Sequence, residues 1–180
     1  MSRYSVGSTG RGERYVRIAA GAAVVLILAV GLAAGLKKYQ SARTIVPANI
    51  KAQLSFGIFW PGTDAVLRGD KTTIKYDPTE KLFSYVARTA AGDQIIVSEQ
   101  QTPESFVDVP TSFTKLTSTM QEYKSIDTSN GKVSLTRPVS LKGRQAAVMN
   151  ARGVLVFLKP AKDIKDEDWA RLANSLVFIN

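Results

Sequence analysis

The sequence predicts an α+β fold: one N-terminal transmembrane helix, then a curved antiparallel sheet with two helices packed on one face. Three observations lead there. Residues 18–36 form a run of 19 side chains with neither charge nor hydrogen-bonding capacity. Beyond residue 52, short runs of alternating apolar residues are separated by roughly two- to five-residue turns rich in Gly, Pro, Asn and Asp, which makes sequential strands antiparallel neighbours. Two stretches, near residues 113 and 169, switch instead to the 3.6-residue period of a helix.

The first 17 residues are rich in Ser, Gly and Arg and read as a disordered cytoplasmic tail. Ile18 to Leu36 spans roughly 28 Å as a helix, close to a hydrocarbon core of about 30 Å. A cleaved export signal has a shorter apolar core, about 7–15 residues, before a small-x-small site. Gly31-Leu32-Ala33 could be read as such a site. The run is too long for that, however, and Lys37-Lys38 follow at once as an interfacial stop, so an uncleaved anchor is expected. Gly31 and Gly35 form GxxxG, a spacing that lets two transmembrane helices approach closely and that also arises by chance in Ala/Gly-rich spans. Four Arg precede the span, and Lys37, Lys38, Arg43 and Lys51 follow it, so the positive-inside count ties. A long folded domain crosses largely regardless of its charge, so the short tail decides the expected orientation. It places the N-terminus in the cytoplasm and the C-terminal domain outside the plasma membrane.

Residues 37–51 read as a juxtamembrane linker and residues 52–180 as the α+β extracytoplasmic domain. Leu54, Phe56, Ile58 and Trp60 alternate up to Pro61-Gly62, a strand signal. Ile74 and Tyr76 mark a second strand, ended by Asp77-Pro78. In "KLFSYVART", Phe83, Tyr85 and Ala87 share one face, with Leu82 and Val86 on the other; "QIIVSEQ" follows the turn at Ala91-Gly92-Asp93. After a connection from Pro103 to Pro110, Phe113, Leu116, Met120 and Tyr123 line one face of a helix. Asn130-Gly131 and Ala151-Arg152-Gly153 are hairpin signals between the next four strands. The last element, "DIKDEDWARLANSLVFIN", places Trp169, Leu172, Ala173 and Leu176 at helical spacing, with Asp166, Glu167 and Asp168 where caps and the macrodipole favour carboxylates.

Composition narrows the chemistry. The 180 residues include no histidine and no cysteine, which excludes Ser-His-Asp and Cys-His catalysis, imidazole and thiolate metal sites, and an acylated-cysteine anchor. The net charge is +9, but the basic residues are scattered through the domain rather than gathered in a nucleic-acid stripe. The acidic cluster Asp163, Asp166, Glu167 and Asp168 lacks EF-hand spacing and its turn glycine, so helix capping is the expected role. Catalytic, cofactor and metal residues are expected to be absent.

"FGIFWPG", "IIVSEQQTPESF" and the closing "DEDWARLANSL" together resemble small single-pass bacterial envelope proteins of unknown function. They are more distantly similar to the unknown-function extracytoplasmic domain of anti-sigma and sporulation-associated proteins, which is related to lipoprotein-carrier sheets. The resemblance covers about Leu54 to Ile179 and implies an extracytoplasmic C-terminal domain. It supplies no catalytic residue, and 17 residues cannot form the cytoplasmic sigma-binding domain of an anti-sigma protein.

The expected function is a non-enzymatic binding module held at the membrane, its contact surface either the open face of the sheet or the aromatic strand at Phe56, Phe59 and Trp60. The lipid bilayer is one expected partner, an envelope protein or polymer another, and a second copy of the chain a third. Two other readings stand beside it, a structural or assembly protein dimerising through Gly31 and Gly35, and a histidine-free Ser/Lys hydrolase. If the glycine face dimerises, the double substitution Gly31→Ile with Gly35→Ile abolishes self-association in a two-hybrid membrane assay; unchanged association contradicts it.

Overall fold

The computed structural model describes residues 45–108 and 111–180. The predicted span and its Gly31 and Gly35 lie outside them, and no helix among the described residues is long and apolar enough to cross a membrane. The described chain is α+β. A helical turn, α1 (Ala48–Lys51), precedes β1 (Ile58–Pro61), β2 (Leu67–Asp77), β3 (Leu82–Thr89) and β4 (Gln94–Gln101). Two short helices, α2 (Glu104–Asp108) and α3 (Thr111–Thr119), lead to β5 (Glu122–Thr128), β6 (Gly131–Thr136), β7 (Ala146–Ala151) and β8 (Val154–Pro160). The chain closes with α4 (Asp166–Asn174) and β9 (Leu176–Ile179).

Seven strands form one antiparallel sheet in the order β2-β3-β4-β8-β7-β6-β5, and β1 pairs with β9 in a separate ribbon. Cross-strand register defines the core face. Phe83 opposes Glu99, which opposes Val156, then Met149, then Val133; Tyr85, Val97, Leu158, Ala147 and Leu135 form the next row. All of these are buried. The ribbon and α4 cover this face, with Trp169, Leu172 and Ala173 of α4 turned inward.

The chain from β4 to β5 must pass β8, β7 and β6. It leaves on the opposite face, where the Thr102 hydroxyl donates to Asn150 Oδ1 at 2.6 Å and the Thr102 N–H to the Gly153 carbonyl. Ser134, Val148 and Leu155 on that face are buried. The two predicted helices therefore lie on opposite faces rather than on one, because the strand order forces a crossover that a simple meander would not need.

Three further boundaries differ from the sequence reading. Val46 is buried and α1 lies within the predicted linker, so the domain begins before residue 52. The closing stretch is a helix only to Asn174; Leu176, Val177, Phe178 and Ile179 extend to pair with Pro61, Trp60, Phe59 and Ile58. A β-branched and aromatic run without a helix former suits a pleated strand once a partner is present. Asp166, Glu167 and Asp168 do occupy the first turn of α4, where the macrodipole favours them, but none caps it: the N-cap is Lys165, without a side-chain capping bond, and Asp166 is drawn away to Tyr123, Lys124 and Gln145.

Turn chemistry places the hairpins. Arg152 and Gly153, with φ of 52° and 75°, form the two-residue β7–β8 turn, both positive as a type I′ turn requires. In the β5–β6 hairpin Thr128 pairs with Gly131, so the loop is Ser129-Asn130, one residue earlier than Asn130-Gly131 suggested. The Asn130 amide donates to the carbonyls of Ala173 and Leu176, both at 2.8 Å, and fastens this hairpin to the α4–β9 junction.

Gly69 on β2 admits the ribbon close to the sheet, and Gly57, just ahead of β1, lets the ribbon's own two strands close up. A Cβ on Gly69 would stand 2.3 Å from the Trp60 indole, and one on Gly57 would stand 2.4 Å from the Phe178 ring. Gly69→Ala is accordingly expected to cost about 1–3 kcal/mol of unfolding free energy by chemical denaturation, since the rigid indole must shift; a change under roughly 0.5 kcal/mol contradicts this packing.

Candidate functional site

The aromatic strand expected to be a binding surface is instead core. Phe59 is 0 % and Trp60 5 % exposed, and Phe56 is half-buried ahead of β1. The Phe59 ring meets Phe178 edge-on at 5.3 Å, and Trp60 stacks on Tyr85 at 4.4 Å. A four-residue strand pressed between a sheet and its partner has both sides covered, so it does not alternate in burial.

What anchors it is a pair of side chains rising from the sheet. In an antiparallel ribbon every second residue turns its backbone groups away from the partner strand; Gly62 N–H to Ser175 O sets the phase, leaving Phe59 facing outward from β9. Its N–H donates to Glu99 Oε2 at 2.7 Å and its carbonyl accepts from the Tyr85 hydroxyl at 2.9 Å. A strand edge is thus satisfied by a carboxyl and a phenol rather than by another strand. Burial pushes the Glu99 carboxyl well above its ordinary 4.5, against the opposing effect of the Phe59 N–H. Burial, then the nearby Glu99, raises the Tyr85 phenol. Glu99 Oε1 and Trp169 Nε1 are the buried side-chain polar atoms without a partner among the described residues. Glu99 is 0 % and Tyr85 1 % exposed, so neither meets a substrate from solvent.

A second polar group lies at the start of α4. Gln145 Nε2 donates to the Tyr123 hydroxyl at 2.6 Å, its Oε1 accepts from Ile164 N–H, and its N–H donates to Asp163 Oδ1. Asp163 pairs with Arg137 at 2.7 Å, which with the Gln145 N–H holds its carboxyl below the usual range. Tyr123 is raised, first by desolvation. These carboxylates are engaged with cations and donors of the chain itself, and among the described residues no group of three or more acidic side chains is arranged to hold a metal. Ser-x-x-Lys spacing occurs at Ser112–Lys115 and Ser129–Lys132. Both lysines are exposed, and the Ser129 hydroxyl donates to Asn174 Oδ1.

The remaining candidate is the face of β2, β3, β4 and β8 turned away from the core. Val86 opposes Ile96, which opposes Lys159; Arg68 opposes Arg88; Lys75 opposes Ser84, which opposes Ser98 and then Phe157. Ile96 is 46 % exposed, and Leu82, Val86 and Phe157 are half-buried. Asp70 lies 3.9 Å from Arg88, and its Oδ1 accepts from the Thr72 N–H and hydroxyl, which lower its carboxyl. The sequence carried a signal for this face, since Leu82 and Val86 fall out of phase with Phe83 and Tyr85, while its basic rim is gathered from β2, β3 and β8.

No family model, no curated protein and no solved structure matches the chain.

Because the folded Glu99 holds its proton above the unfolded pKa, its contribution is complete below about pH 4.5 and declines as pH rises through the folded value. In that window the native state binds one proton more than the unfolded state, costing on the order of 1 kcal/mol per pH unit. Asp70 and Asp163, both lowered, act in the opposite sense and only in acid. Urea denaturation from pH 5 to 8 is expected to show falling stability, and Glu99→Gln a flatter profile. Identical slopes contradict the assignment.

Proposed function

We propose that this chain is a membrane-anchored, extracytoplasmic interaction module of the bacterial envelope, non-enzymatic, with the open face of the β2–β3–β4–β8 sheet as its contact surface. The observation that carries the reading is that face: exposed Ile96 with half-buried Val86, Leu82 and Phe157 around it and a basic rim outside them, an apolar patch bordered by polar residues being the form an interaction surface takes. Three sequence features support it: the uncharged run Ile18 to Leu36, the Lys37-Lys38 stop behind it, and a β-rich domain resembling extracytoplasmic envelope domains. The missing histidine and cysteine, together with the sealed Glu99 carboxyl, leave the module without evident catalytic equipment.

A structural role through helix–helix contact at Gly31 and Gly35 is compatible with the same anchor, since it uses a different part of the chain. Orientation is tested by protease shaving of intact cells carrying a C-terminal tag. Loss of the tag with the membrane intact is expected; a tag protected until the membrane is opened contradicts the outward placement.

A further inference from the structure

We propose that the open sheet face lies against an anionic lipid surface, the partner of the interaction face described above; this rests on the reading that residues 18–36 anchor the chain. The face has the two parts such a surface selects, a small apolar centre and a cationic rim. Val86 and Ile96 are adjacent at the centre, and Leu82 and Phe157 flank them on β3 and β8. Arg68, Lys75, Arg88 and Lys159 surround them on the same face, against Asp70 and Asp77.

Both acids are committed locally, Asp70 to Thr72 and Arg88, and Asp77 to the N–H groups of Thr79 and Glu80. Arg68 stands directly opposite Arg88, like charges that the Asp70 carboxylate, 3.9 Å from Arg88, offsets only on the Arg88 side. Among the described residues Arg68, Lys75 and Lys159 form no ion pair with a carboxylate.

The tether favours lipid over a diffusing partner. The compact domain begins at Val46, and the chain from residue 37 to it can reach at most about 35 Å. A surface held at that distance meets headgroups at high effective concentration. A second copy on this face would bring the same four cations against one another, and an acidic polymer would have no use for the apolar centre.

The chain has no cysteine, so Ile96→Cys supplies a single thiol for an environment-sensitive fluorophore. The labelled full chain is placed in nanodiscs of phosphatidylcholine alone, or of phosphatidylcholine with phosphatidylglycerol. The expected result is a blue shift with at least about a twofold rise in emission only in the phosphatidylglycerol discs, reversed by high salt and by Arg68→Gln with Lys159→Gln. A label at Glu167, exposed on α4 over the opposite face of the sheet, should not change. Equal emission in both discs overturns the proposal. So does a shift that ignores lipid charge, which would mark an apolar contact with a second copy. Failure of the chain to remain with either disc overturns the anchor reading itself and removes the tether.

Discussion

The fold depends on one unusual junction, a strand edge set down on the face of a sheet. β1 pairs with β9 on one side only, and its other edge points into the core, where an unpaired N–H or C=O costs about 1–3 kcal/mol. Tyr85 and Glu99 reach up from β3 and β4 to meet both groups of Phe59. Without them the ribbon would bury an unsatisfied peptide, and α4, joined to β9 through Ser175 alone, would lose the platform that fixes its end. Trp60 over Gly69 and Asn130 on the α4–β9 junction follow from the same placement.

That requirement explains a glutamic acid in the core. A carboxylate would suffer a large desolvation cost there; the neutral acid accepts from Phe59 N–H at a smaller one. The choice links the seating of the ribbon to pH and makes Glu99 a structural acid rather than a reactive one. The two ends of the sheet are treated alike, β5 being irregular between Glu122 and Lys124. Edge strands β2 and β5 carry charged residues, and β2 is bulged between Asp70 and Lys75, where Thr73 Oγ1 takes the Val86 N–H. These features protect the edges from pairing with other chains and leave the outer face of β3 and β4 as the apolar surface still open.

Much of this architecture was legible in the residues. Four strands, a helix, four strands and a helix follow from alternation, from the turn at Arg152-Gly153 and from the spacing of Trp169, Leu172 and Ala173. The strand order was not, because pairing β4 with β8 is a long-range choice that local periodicity does not encode. β9 was hidden because Leu176 continues the helical spacing, and only the pairing with β1 makes Leu176–Ile179 a strand. Phe59 and Trp60 were misplaced on the surface for a related reason: a strand covered on both sides looks, in sequence, like an exposed aromatic patch. Glu99 did leave a trace. It falls in phase with Ile95 and Val97, where an inward residue belongs, and a carboxyl at such a position signals a buried partner that the sequence does not name.

Amide hydrogen exchange at Phe59 tests the central junction most directly. If Tyr85 and Glu99 hold that peptide, its N–H exchanges as slowly as the amides of β4 and β8, although it points from the edge of β1 that pairs with no strand. Substituting Tyr85→Phe should speed that exchange while leaving β4 and β8 unchanged. A Phe59 amide that exchanges as fast as those of the Gly92 or Gly143 turns would contradict the account.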